Sequence, residues 1–189
     1  MRAYDRAAPP PERTRTATFG LGCFWGPDAR FGALDGVVRT RVGYAGGTTP
    51  EPTYHDLADH TEVVQVDYDP ERLRYADLLR VAFDAHDYRR QPRARQYQHL
   101  VLHAPGRRDE VASFLADRVA DPDAVATRVE ALDAFTPAED YHQKYRLRAA
   151  PTLAAFTAYD DRALRESPAA AKLNGAAAGH DPPPALGGR

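Results

Sequence analysis

The chain has 189 residues, is 43% hydrophobic and 28% charged, and carries a formal net charge of −2. That length suits one globular domain with a real core, and that balance gives no electrostatic case for nucleic acid or an anionic membrane as partner. A single cysteine excludes an intrachain disulfide and fits a reducing compartment, no run approaches the ~20 apolar residues of a membrane span, and the first residues lack the apolar stretch of a secretion signal, so the cytoplasm is the expected setting.

Residues 1–13, rich in proline and arginine, are expected to form a loose arm ahead of one domain over 14–175. Thr16–Leu21 reads as a strand and Asp28–Leu34 as a helix. Between them lies Gly22-Cys23-Phe24-Trp25-Gly26, with the only cysteine and the only tryptophan of the chain. A cysteine at a strand-to-helix junction faces unpaired backbone N–H groups and the positive end of a helix dipole, which favour thiolate over thiol. Two aromatic rings beside it can hold a small apolar group. The bland alternative is a small buried hydrophobe; the flanking glycines and the Phe-Trp pair weigh against it.

Val37–Tyr44 is a second strand, running into the turn Gly43–Gly47. That turn lacks the Lys-Ser/Thr of a phosphate loop. Glu62–Tyr68 alternates and reads as a third strand, closed by Asp69-Pro70. On it Glu62 shares a face with Val64, Val66 and Tyr68. A carboxyl group there is desolvated, so it stays protonated to higher pH and can act as an acid. The competing reading puts Glu62 at a wet rim or against an arginine. Tyr54 and Tyr97 offer uncharged O–H donors for a substrate oxygen, although most of the ten tyrosines should be core or rim residues.

Tyr75, Leu78, Leu79, Ala82, Phe83 and His86 form the apolar stripe of an amphipathic helix. Arg89, Arg90, Arg93 and Arg95 then crowd one loop, either a solvated run or an anion site. Gln98–His103 is a strand, Arg107–Ala120 a helix and Thr127–Leu132 a strand. Thr136-Pro-Ala-Glu139 has the form of a capping box and should start a helix through Tyr145. Ser167-Pro168 should open a short helix that stops at Asn174-Gly175. Residues 176–189 read as a low-complexity tail, with Pro182–Arg189 mobile. His55 and His60 lie near Glu62, but neither His-Glu-x-x-His nor Cys-x-x-Cys occurs, so no metal or cofactor is expected. The pattern predicts an α+β fold, a two-layer α/β sandwich with a ferredoxin-like core.

These segments, taken together, resemble the A-type peptide methionine sulfoxide reductases. The likeness rests on Gly22–Gly26 after a Phe-Gly-Leu strand, then Gly43–Gly47, Pro52-Thr-Tyr54, His60-x-Glu62, Tyr68-Asp-Pro70, His86-Asp87, Gln96-Tyr97 and Pro137–Gln143. Leu173-Asn-Gly175 matches more loosely, and the likeness spans residues 16–175. It implies Cys23 as nucleophile, Glu62 as acid, Phe24 and Trp25 around the S-methyl group, and Tyr54 and Tyr97 on the sulfoxide oxygen. The implied substrate is methionine-S-sulfoxide, free or in proteins, and the implied products are methionine and a Cys23 sulfenic acid. This agrees with the residues: attack at a weakly electrophilic sulfur needs a thiolate, and the departing oxygen needs a proton.

The sequence departs from the family pattern in three places. No second cysteine is present to resolve a sulfenic acid, so an external thiol is required: thioredoxin, glutaredoxin or a low-molecular-weight thiol. The Asp87–Tyr97 loop is short and lacks the family's substrate-binding aspartate. The Tyr54–Glu62 link is also short and has Asp59 where a glycine is usual. Two other readings stay open, a peroxide-responsive thiol enzyme using Cys23 and a sulfoxide-binding module of altered or lost chemistry. A monomer is expected.

Overall fold

The computed structural model describes residues 1–181. After a short helix α1 (Arg2–Ala7), the chain runs through β1 (Arg15–Leu21), α2 (Trp25–Ala33), β2 (Val37–Ala45), β3 (Thr61–Tyr68), α3 (Tyr75–Asp84) and β4 (His99–His103). It continues through α4 (Arg108–Arg118), β5 (Arg128–Ala131) and β6 (Phe135–Pro137) to three closing helices, α5 (Tyr145–Arg148), α6 (Asp161–Glu166) and α7 (Pro168–Ala177). The strands form one six-stranded sheet in the order β5-β4-β1-β3-β2-β6. All neighbours are antiparallel except β4 and β5.

The pleat sorts the core. On one face Phe19, Val64, Val66, Tyr68 and Val101 pack against Phe31 of α2, Leu78 and Leu79 of α3, and Val111 of α4. The alternate residues Val63, Leu100 and Leu102 point to the other face, where Leu132 and Phe135 cover them. The period of two in β3 and the apolar stripe of α3 are what the sequence pattern predicts. Helix α7 closes on α2 at small residues. A Cβ on Gly32 would collide with the Ala171 carbonyl oxygen.

Three expectations fail. Thr136-Pro-Ala-Glu139 does not open a helix. Thr136 and Pro137 pair with Tyr44 and Gly43 of β2 instead, because the free edge of β2 offers unpaired backbone groups that a strand satisfies. The Glu139 carboxylate, freed from any cap, accepts from the Tyr44 hydroxyl (2.7 Å) and the Tyr54 backbone N–H (2.9 Å). Only a turn at Asp140–His142 follows before α5.

Helix α7 begins as expected, with Ser167 accepting from the Ala170 N–H, but it runs past Asn174-Gly175 to Ala177. Asn174 is buried. Its carbonyl accepts from the Leu147 N–H and its amide donates to Asp28 (both 3.0 Å), so it serves tertiary contacts rather than a helix stop. The tail therefore starts later than residue 176, and Pro182–Arg189 lie outside the described residues.

Nor are residues 1–13 a loose arm. Asp5 of α1 accepts from the Ser167 hydroxyl (2.9 Å), the Ala169 N–H (2.8 Å) and the Tyr159 hydroxyl (2.7 Å). A carboxylate at the opening of α7 meets the free N–H groups there.

Candidate active site

Strand β1 ends at Leu21, and Gly22 turns the chain with φ = 81°, a conformation that only glycine adopts without strain. Cys23 follows, exposed, and Phe24 caps α2, its carbonyl accepting from the Asp28 N–H at 2.9 Å. Cys23 thus stands at the mouth of α2. The Phe24 N–H does not point at sulfur. It donates at 3.0 Å to Oε2 of Glu62, from the neighbouring strand β3. Glu62 is 1% exposed, which settles its place in the interior and not at a wet rim. Its Oε1 accepts from Gln96 Nε2 at 2.6 Å. Burial pushes the Glu62 carboxyl above its ordinary range, and the donors Phe24 and Gln96 pull back in part.

The thiol behaves differently from the simple helix-mouth expectation. Burial of its inner flank raises the Cys23 pKa, and the nearby Glu62 adds to that. A backbone hydrogen bond from Trp25 and the charge of Arg146 act the other way. Desolvation thus outweighs the helix mouth at this cysteine, while the Phe24 N–H goes to Glu62.

Tyr97 lies among the same groups. Burial, Glu62, Tyr54 and Cys23 together raise its hydroxyl pKa. Tyr54 is 36% exposed, its ring centroid 4.7 Å from that of His142. Trp25 stacks on Tyr145 with centroids 3.7 Å apart and planes 4° off parallel, and its indole N–H donates to His142 Nδ1 at 3.3 Å. Phe24 is 1% exposed and packs against Tyr44 and His142. It forms the floor beneath an aromatic wall whose open members are Trp25, Tyr54 and Tyr145. Such a site can seat a small apolar group beside a thiol and deliver a proton from a carboxyl group.

The family model for peptide methionine sulfoxide reductase matches residues 15–170. A Drosophila melanogaster peptide methionine sulfoxide reductase is 43% identical over 168 residues, covering 87% of this chain and 68% of the relative. The chain belongs to the A-type peptide methionine sulfoxide reductase family. The peptide methionine sulfoxide reductase MsrA of Salinispora arenicola (strain CNS-205) is 40% identical over 156 residues, covering 74% of this chain and 70% of the relative. Among solved structures, methionine sulfoxide reductase A of Corynebacterium diphtheriae superposes with a TM-score of 0.64 at 32% identity, over 77% of this chain and 78% of that one. Reduced Mxr1 of Saccharomyces cerevisiae gives 0.67 at 27% identity, over 75% and 88%.

Against that family background, four residues of the site had no role assigned from sequence: Gln96, Glu139, His142 and Tyr145. Gln96 and the segment 137–143 were visible as blocks, yet Gln96 meets Glu62 34 residues away and His142 meets Trp25 117 residues away in the chain. Asp59, in place of the usual glycine, accepts from the backbone and hydroxyl groups of Thr48 and Thr49 at 2.7–3.2 Å. Those bonds hold its carboxyl well below the ordinary range and pin the short link before Glu62.

Three of the four arginines in the loop have partners within the protein. Arg95 donates to the Asp59 and Gly46 carbonyls, both at 2.9 Å, as a strut under that link. Arg89 lies over the Tyr88 ring and Arg90 faces Asp87. Among the described residues no group of three or more His, Cys, Asp or Glu side chains could hold a metal ion, and no helix is long and apolar enough to cross a membrane.

Proposed function

We propose that Cys23 and Glu62 carry the family's reaction in this chain, the thiol-dependent reduction of methionine sulfoxide to methionine. Cys23 Sγ attacks the sulfoxide sulfur while Glu62 gives its proton to the oxygen. The oxygen ends on Cys23 as a sulfenic acid, so one sulfur is oxidised by two electrons and the other reduced by two. Trp25 and Phe24 seat the S-methyl group, and the Tyr54 and Tyr97 hydroxyls steady the oxygen. With no second cysteine, an external thiol must complete the cycle, which calls for a reducing compartment such as the cytoplasm.

The observation that carries this reading is the bond from Phe24, the residue after the cysteine, to a buried Glu62. It brings acid and nucleophile to one helix mouth. Family membership favours neither the peroxide-responsive enzyme nor the binding module. The supporting scaffold is read as a ferredoxin-like core: β1-α2-β2-β3-α3-β4, with inner order β4-β1-β3-β2, has the split βαβ arrangement.

The test is turnover of dabsyl-methionine-S-sulfoxide with excess dithiothreitol. Wild type turns over, Cys23→Ser does not, and Glu62→Gln keeps its fold by circular dichroism but loses about 10²–10⁴-fold in rate. Wild-type-like rates in Glu62→Gln would remove the proton-donor role. Binding without turnover in wild type would favour the module.

A further inference from the structure

The external thiol has to reach Cys23 Sγ, and the surface beside Cys23 is not neutral. A groove of about 510 Å³ opens there, walled by Leu21 and Gly26 from either side of the cysteine and by Arg30, Arg146 and His180. None of Cys23, Trp25, Tyr54, Glu62 and Tyr97 lines it, so it adjoins the cysteine through the flanking Leu21 and Gly26 and is separate from the aromatic seat of the sulfoxide. Arg30 sits on α2 and Arg146 on α5; both are exposed. Among the described residues neither arginine makes a salt bridge or a side-chain hydrogen bond. Arg148, two residues along, shows the contrast: it donates to the Gln143 carbonyl at 2.9 Å and to Asp161 at 2.6 Å. The charge of Arg146 is close enough to act on the Cys23 thiol.

We propose that this groove binds the carboxylates of a low-molecular-weight thiol, which resolves the Cys23 sulfenic acid directly. The inference rests on the role given to Cys23 above. Two guanidinium groups suit two carboxylates, each by paired N–H donors, and the volume suits a ligand of tripeptide size. Placed there, the small thiol attacks Cys23 Sγ. The Cys23 S–O bond breaks, and the hydroxyl leaves as water with the thiol's proton. A mixed disulfide forms. A second thiol molecule attacks the outer sulfur of that disulfide, releasing the Cys23 thiol and a small symmetrical disulfide, so two thiols supply the two electrons. Arg30 and Arg146 bind the resolving thiol and lie outside the aromatic seat of the sulfoxide.

The experiment compares glutathione, which carries two carboxylates, with neutral 2-mercaptoethanol and cationic cysteamine, at saturating sulfoxide. In wild type the KM for glutathione is expected about tenfold or more below the other two. In the double variant Arg30→Gln/Arg146→Gln it rises to meet them, about tenfold by the loss of both charge-assisted pairs. The KM for sulfoxide and the stoichiometry of methionine release in a single turnover stay unchanged, and Arg30→Gln alone, which keeps the Arg146 charge beside Cys23, leaves the dithiothreitol-driven rate unchanged as well. No preference for glutathione in wild type, or a preference that survives in the double variant, overturns the proposal. So does a rise in KM for sulfoxide in the variant, which would assign the groove to substrate, or turnover that only a thioredoxin-type protein supports. A second readout uses no sulfoxide: Cys23 is oxidised with hydrogen peroxide, and the glutathione adduct is timed by mass spectrometry in both forms. Absence of methionine release in wild type would count against the reductase reading, and the adduct rate would still decide the groove.

Discussion

Glu62 and Cys23 are the acid and the nucleophile of the proposed reaction, and each is shifted upward. Burial holds the proton on Glu62 to higher pH than usual, and it likewise keeps Cys23 a thiol to higher pH. The reactive form has a thiolate and a neutral carboxyl group. It holds the same single proton as the thiol–carboxylate form, so both are populated together between the two titrations. The expected profile of kcat/KM for sulfoxide is a plateau, its acid limb above the ordinary glutamate range and its alkaline limb above the ordinary cysteine range. In Glu62→Gln the acid limb should move up to the titration of Cys23 itself, because the thiolate then forms only as the thiol loses its proton, and a pH–rate series with the two proteins checks this. Stability carries the same signature. The folded chain keeps the Glu62 proton to a higher pH than the unfolded chain, so this group's contribution is whole below the unfolded pKa. It then declines as pH rises to the folded value, a slope absent from Glu62→Gln.

At the scale of elements, the close packing of α2 on α7 supports the turn that carries Cys23. Gly32 lies against the Ala171 carbonyl, and Gly175 has no room for a Cβ beside Ala33. Lys144 ties the same region together from below. It is buried, in a left-handed conformation with φ = 55°, and donates to the Thr40 carbonyl at 2.7 Å while facing Asp28 at 3.5 Å. Burial lowers its pKa. Gly32→Ala gains helix propensity of roughly 1 kcal/mol but drives a methyl group into a backbone carbonyl. Overpacking of this kind costs about 1–3 kcal/mol, and backbone cannot swing aside as a side chain can. The net expectation is a loss of stability, read as a lower urea midpoint with an unchanged m-value. An unchanged or higher midpoint would show that α2 and α7 slide apart at no cost.

Across the whole molecule, α1 is joined to the closing helices. Asp5 binds three donors from the α6–α7 region, and α7 in turn packs on α2, which carries the active-site turn. Asp5→Ala leaves those donors without their carboxylate, at a cost of about 1–3 kcal/mol, while the catalytic groups stay where they are. Thermal unfolding should therefore begin several degrees lower, by roughly 4–8 °C per kcal/mol at the smaller domain sizes and less here. The rate with dithiothreitol at 25 °C should be unchanged. A fall in rate without a fall in melting temperature would mean that α1 acts on the site and not on the fold.

Local chemistry makes much of this molecule legible from its residues alone. The alternation in Glu62–Tyr68 places Glu62 on an apolar face, and the folded chain buries it there. The strip from Tyr75 to Phe83 gives α3 its buried side, and Ser167-Pro168 starts α7. Each depends on neighbours within a few residues, and so on the chain alone. What tertiary structure decided was the use of groups whose partners are distant. The edge of β2 turned Thr136-Pro137 from a helix opening into a strand. Asp28 and Leu147 drew Asn174 away from a helix stop. Glu62 took the Phe24 N–H at the mouth of α2, and burial raised a thiol that the helix mouth alone would have lowered. Every polar group near a core must find a partner, and which partner it finds is set by packing between elements far apart in the sequence.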